Sequence, residues 1–106
     1  MRIERKQQEQ LLEILIAASN EILAVYDSKD IGLELKDDKS PLTYADSRSH
    51  DIIEPRLTAL FPDIPVISEE SSRRAFAVRN KWEYFWLVDP LDGTKEFVEK
   101  NGEFTV

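Results

Sequence analysis

The sequence predicts a layered α/β fold, and three observations lead there. A long amphipathic stripe occupies the N-terminal quarter, a second helical pattern fills the middle, and two short apolar runs, Val66-Ile67-Ser68 and Tyr84-Phe85-Trp86-Leu87-Val88, read as buried strands. From Glu9 to Tyr26, Leu11, Leu15, Ala18, Ile22 and Val25 recur at spacings of four and three, with Leu12, Ile16, Ser19 and Leu23 alongside. That is the broad stripe of a helix with one face to be covered by other parts of the protein. Gly32 to Lys36 alternates apolar and polar residues as a short strand does, and Asp37 to Pro41 supplies turn chemistry before Leu42-Thr43. A second helix follows, capped by Asp46 or Ser47, with Ile52, Ile53, Leu57 and Leu60 as its buried side and Phe61-Pro62-Asp63 as its end. Pro55 falls inside it. A proline there removes a backbone donor and crowds the carbonyl four residues back, so a kink or a late start is expected.

The apolar runs each deliver acids at their C-terminal ends, Glu69-Glu70 after the first and Asp89 after the second. Open α/β sheets hold ligands at that edge. Arg73 to Lys81, with four basic residues, reads as a surface connection. Phe97 and Val98 belong to a short helix begun near Gly93, and Gly102 to Val106 reads as a further strand. Trp82, Tyr84, Phe85 and Trp86 suggest either a base-stacking platform or strand packing, and the strand reading favours packing. The lone histidine, His50, sits among Arg48, Ser49 and Asp51 and reads as an exposed helix residue rather than a ligand or general acid.

Composition narrows the function classes. The chain has 106 residues, 42% hydrophobic and 33% charged, as in a small soluble domain or a piece of a larger one. Fourteen Lys and Arg stand against 21 Asp and Glu, and the net charge of -7 argues against a partner that is a nucleic-acid polymer. A polyanionic substrate must then be met by metal ions or by local donors. With no cysteine there is neither disulfide nor thiolate site, and a reducing cytoplasm is the natural location. The apolar stretch Leu11 to Ala18 is interrupted by Glu13 and lacks a small-residue cleavage site, so neither signal peptide nor membrane span is read there. Peripheral attachment to the cytoplasmic side of an inner membrane is left open, as is the oligomeric state.

The most informative stretch is Trp86-Leu87-Val88-Asp89-Pro90-Leu91-Asp92-Gly93-Thr94-Lys95-Glu96-Phe97. Pro90 stiffens the turn between two carboxylates, so Asp89 and Asp92 can converge on hard, oxygen-seeking cations, with the Leu91 carbonyl as a further ligand. Gly93 permits close backbone approach, and a helix beginning at Gly93 or Thr94 would turn unpaired amides toward a phosphate. Thr94 can position a water. Taken alone, Asp-Pro-Leu-Asp-Gly-Thr is as well explained as an ordinary turn with a helix cap, Glu69-Glu70 as a solvated acidic pair and Asp46 as a cap. Lys95 fits a phosphate contact and a solvent-facing first-turn lysine equally well.

Taken in order, Ser40-Pro41-Leu42-Thr43 with Asp46, Ile67-Ser68-Glu69-Glu70-Ser71, and Trp86 to Thr94 resemble the magnesium-dependent, lithium-sensitive phosphatases of the inositol-monophosphatase type. Lys95-Glu96-Phe97 and Asn101 to Val106 look like the CysQ-type 3'(2'),5'-bisphosphate nucleotidases within that group, where inositol monophosphatases more often carry a Thr-Asn pair. The resemblance implies the layered α/β sandwich of that family and hydrolysis of the 3'-phosphate of adenosine 3',5'-bisphosphate to AMP, with the sulfated analogue as a further substrate, in sulfur assimilation. It implies two or more Mg2+ ions. Glu69, Asp89 and the Leu91 carbonyl would hold the first, Asp89 would bridge, and Asp92 would hold the second. Asp46 and Thr94 would orient and deprotonate the attacking water. Glu69, Leu91, Asp92, Gly93 and Thr94 would border the substrate, and Glu70 would stand behind them or serve a third ion. The family's fold continues well beyond Val106, so the chain would be the N-terminal portion of one domain, lacking a Trp-Asp segment and most residues that read the base. Its two helices would sandwich a sheet whose remaining strands come later, which leaves apolar faces uncovered in this portion. An inositol-monophosphatase-type sugar phosphatase, and a non-catalytic remnant that binds metal or a partner, stand as alternatives.

Overall fold

The computed structural model describes residues 2–70 and 83–106. Arg73 to Lys81, read as a surface connection, and Trp82 lie outside them. The first helix, α1, spans Arg5–Tyr26, a turn longer at its start than the apolar stripe indicates. Arg5-Lys6-Gln7-Gln8 are good helix formers without an apolar member, and the Gln7 side chain accepts the otherwise unpaired Glu4 N–H at 2.9 Å. The buried line of α1 is Ile14, Ala18, Ile22 and Val25. Leu15, expected inside, faces out together with Leu12, Ile16 and Leu23. The stripe is wider than the partner surface that covers it.

Glu34–Leu35 (β1) and Pro41–Leu42 (β2) form a small antiparallel hairpin, Glu34 opposite Leu42. Its tip is held by Asp38, which accepts both the Ser40 N–H and the Ser40 hydroxyl, and these bonds keep the Asp38 carboxyl below the usual range. The second helix, α2, covers Tyr44–Leu60. Its N-cap is Thr43, not Asp46 or Ser47. Asp46 is the third helical residue and closes a reciprocal capping box with Thr43. Nor does Pro55 delay the helix, which starts early and runs through it. Pro55 and Asp51, whose carbonyl loses its intrahelical partner, are both exposed, so water can satisfy what the proline removes.

Val66–Ser68 (β3) and Trp86–Val88 (β4) pair in parallel with Val66 opposite Trp86 and Ser68 opposite Val88. Trp86 and Val88 join the core built by Ile14, Ala18, Ile53, Leu57 and Phe61, and the Trp86 ring lies 5.3 Å from that of Phe61. Leu87 points the other way and is 71% exposed. The runs are therefore half-buried rather than buried on both faces. Likewise α1 and α2 do not sandwich the sheet: they pack on each other and meet the same face of β3 and β4.

A second core joins Ile22, Val25, Ala45, Leu91 and Phe97. Phe97 belongs to α3, Thr94–Glu99, which begins at Gly93 as expected. The rings of Tyr26, Phe97 and Phe104 meet at centroid distances of 4.8 to 5.2 Å, and Lys100 closes this corner by donating to the Tyr26 carbonyl. Instead of a full last strand, Thr105 makes a single antiparallel bridge to Asp92. Among the described residues no helix is long and apolar enough to cross a membrane.

Candidate active site

Register brings the first acids together. Because Ser68 pairs with Val88, the next residues on the two strands are Glu69 and Asp89, and the Glu69 N–H donates to the Val88 carbonyl at 3.1 Å. Asp92 follows one tight turn later, its backbone bonded in both directions to Thr105. Gly93 then takes a φ of +89°, and a Cβ there would lie 2.8 Å from the Glu103 carbonyl oxygen. Its close backbone approach is thus to the chain itself. Glu69, Glu70, Asp89, Leu91, Asp92, Gly93 and Thr94 line one pocket of about 370 Å³, together with Lys36, Ser40 and Pro41 of the hairpin and Lys95 and Glu96 of α3.

Behind the lining residues stands one face of α2, bonded to Thr94, to the Pro90 carbonyl and to Ser68. Asp46, Ser49, His50 and Ile53 stand at helical spacings of three and four, and the first three are polar. Asp46 is 1% exposed. Its Oδ2 accepts the Thr43 N–H at 2.8 Å and the Thr43 hydroxyl at 2.7 Å, and its Oδ1 accepts the Thr94 hydroxyl at 2.8 Å. The Leu91 carbonyl, 3.1 Å from Thr94 Oγ1, is the alternative acceptor for that single proton. Ser49, fully buried, donates to the Pro90 carbonyl at 2.7 Å and so pins the turn that separates Asp89 from Asp92.

The electrostatics of the pocket are those of crowded carboxylates. Burial, and after it the charges of Asp92 and Glu69, push the Asp89 carboxyl above its ordinary range, against a weaker pull from the Leu91 backbone. Lys36 donates to Glu70 at 2.9 Å. Burial disfavours the Lys36 charge, but its bond to Glu70 and the charges of Glu70, Asp46 and Glu69 outweigh that and hold its ammonium above the usual range. Glu70 is thus engaged by a cation of the chain, while Asp89 and Asp92 repel each other. The donor set left to a divalent ion is all oxygen, from Glu69, Asp89, Asp92 and the Leu91 carbonyl, which fits a hard cation such as Mg2+. Among the described residues no three Asp, Glu or His side chains are gathered tightly enough to cage an ion by themselves.

Every residue expected at the site borders this pocket except Asp46, which is bonded to one of the lining residues, Thr94. Sequence reading missed Lys36 and Ser49, gave Thr43 a place in the motif but no role, and misplaced His50, which is not an exposed helix residue: both ring nitrogens make hydrogen-bond-length contacts, to Ser68 and Glu54. The polar residues at three- and four-residue spacing from Asp46 are the signal that would have found Ser49 and His50. Of the aromatic run, Trp86 packs in the core, whereas Tyr84 and Phe85 are exposed.

The family model of the inositol monophosphatase family matches residues 5–106. The chain belongs to that family. Within the inositol monophosphatase family it is 50% identical over 99 residues to the 3'(2'),5'-bisphosphate nucleotidase CysQ of Salmonella typhimurium, a match over 92% of this chain and 40% of that protein. The protein of the same name from Buchnera aphidicola is 44% identical over 96% of this chain and 38% of its own. The chain thus spans about two fifths of the length of these curated relatives. The crystal structure of CysQ from Bacteroides thetaiotaomicron superposes with a TM-score of 0.70 at 37% identity, covering 94% of this chain and 35% of that one. An IMPase from Thermotoga maritima superposes at 0.74 over 93% of this chain and 37% of that one, and at 22% identity that likeness is one of fold.

Proposed function

We propose that the chain carries the metal-binding and water-activating half of a phosphatase that hydrolyses the 3'-phosphate of adenosine 3',5'-bisphosphate to AMP and phosphate, and acts on the sulfated analogue too. The observation that carries this reading is the buried Asp46 carboxylate bonded to the Thr94 hydroxyl, across 48 residues, at the edge of the acidic pocket. Glu69, Asp89, Asp92 and the Leu91 carbonyl would hold two or more Mg2+ ions. When bound, such ions lower the pKa of water and neutralise phosphate oxygens.

The chain's own residues supply orientation and proton transfer. With its proton directed to Asp46, Thr94 has an oxygen lone pair left to accept a hydrogen bond from an incoming water. Asp46 is pre-organised for this, since Thr43 fixes its other oxygen with two bonds. The water oxygen bonds to phosphorus in line with the departing ribose 3'-oxygen, its proton passes by way of Thr94 to Asp46, and the leaving oxygen takes a proton from solvent. Gly93 and Thr94 border the phosphate in this reading. It carries with it a cytoplasmic setting and a small nucleotide substrate, in keeping with the net charge of -7.

The test is phosphate release by the whole native protein, at graded Mg2+, from adenosine 3',5'-bisphosphate and from inositol 1-phosphate. We expect turnover of the nucleotide, with Asp46→Asn lowering kcat about 100-fold or more while Mg2+ dependence holds. Turnover of inositol phosphate alone would transfer the assignment to a sugar phosphatase. Unchanged kcat in Asp46→Asn would remove its role.

A further inference from the structure

The α2 face reaches the acidic pocket at a second place, the end of β3. His50 Nδ1 lies 2.9 Å from Ser68 Oγ, and His50 Nε2 lies 2.8 Å from Glu54 Oε2, one helical turn along. Ser68 is 3% exposed, and its oxygen accepts the Glu70 N–H at 3.3 Å. In the neutral imidazole these contacts form one directed chain: Nε2–H donates to Glu54, the Ser68 hydroxyl donates to Nδ1, and the Glu70 N–H donates to Ser68. Carboxylate, imidazole and hydroxyl in that order are the parts of a nucleophilic triad. Here the hydroxyl is buried and its oxygen already serves a backbone amide, so the arrangement holds a loop in place rather than attacking a substrate.

The loop it holds is the one that bears Glu69. On one side the Glu69 N–H is tied to Val88 across the sheet, and on the other Glu70 is tied by its N–H to Ser68 and by its carboxylate to Lys36. Between these anchors stands Glu69, which is exposed. We propose that His50 is a positioning residue, which through Ser68 fixes the Glu69-Glu70 backbone and thereby sets the Glu69 carboxylate for a divalent cation. The proposal rests on the metal-binding reading given above. Groups that orient a ligand from behind in this way change metal affinity by about 10- to 100-fold when removed.

The experiment measures Mn2+ binding to the whole native protein by the EPR signal of the free ion, with Mg2+-dependent phosphate release alongside. His50→Leu is expected to weaken Mn2+ binding about tenfold and to raise the half-saturating Mg2+ concentration equally, with kcat at saturating Mg2+ changed less. Ser68→Ala should do the same, and combining the two should add little, because both cut one link. His50→Asn, which restores an acceptor close to the Nδ1 position, should recover part of the loss. A loss of Mn2+ affinity below about threefold in His50→Leu and Ser68→Ala overturns the proposal, as does a lowered Tm with unchanged cation binding. If His50→Leu does not fold, Ser68→Ala and Glu54→Ala, which removes the acceptor of the Nε2 proton, decide by the same threshold. A parent protein that binds Mn2+ but releases no phosphate from the nucleotide would end the nucleotidase reading while the EPR comparison still decides the role of His50.

Discussion

Asp89 is held in the folded chain under conditions that favour its neutral form: partial burial, and Asp92 and Glu69 as neighbours of like charge. A carboxyl whose folded pKa is raised keeps its proton longer in the native state than in the unfolded one. Its contribution to stability is full below the unfolded pKa and is lost as pH rises through the raised folded value. Without divalent cations, then, Asp89→Asn should raise Tm at neutral pH and flatten this part of the pH profile, as read by thermal unfolding in EDTA. With Mg2+ added the parent should gain stability and the variant little. The residues of this site differ in how visible they are in the sequence. Asp89, Asp92 and Thr94 fall in one run of turn and helix signals, so their convergence is legible. Lys36, Ser49 and His50 find their partners 34, 41 and 18 residues away, and no local pattern encodes such a meeting.

Among the elements, α2 shows most clearly what local chemistry does and does not dictate. Its existence, its buried residues Ile53 and Leu57 and its end at Phe61 follow from periodicity. Its cap does not, because Thr43 and Asp46 are both good N-cap residues and only the reciprocal bonds, with Asp46 facing Thr94, choose between them. Pro55 likewise signals an interruption that tertiary packing overrides, since the buried residues on either side of it hold both halves of the helix in the core. Pro55→Ala, which restores a donor to the exposed Asp51 carbonyl, should stabilise the protein by about 2 kcal/mol in denaturant unfolding and leave cation binding unchanged. A loss of stability would mean that the proline ring, not only its missing donor, matters to the packing.

At the scale of the molecule, sequence periodicity tells which side of a helix is apolar but not what lies against it. The sandwich implied by the family resemblance is therefore not decided by the helices' own patterns, and the two lie together on one face of β3 and β4. It is also why Leu12, Leu15, Ile16 and Leu23, all inside a plausible stripe, stay exposed with Leu87. The one α2 face that carries Asp46, Ser49 and His50 bonds to three residues in two segments: Pro90 and Thr94 of the turn after β4, and Ser68 at the end of β3. The same helix is bolted to α1 through Ile53 and Leu57. Local opening of either of those segments must break a bond to an element whose own amides are protected by the core. Native-state hydrogen exchange should accordingly find the amides of Ile53, Glu69, Asp92 and Phe97 opening with a common free energy, well above that of Lys36 and Lys39 at the hairpin tip. The helix behind the pocket, and the turn it holds, would then keep the time of the core rather than of a loop, opening only when the protein itself does.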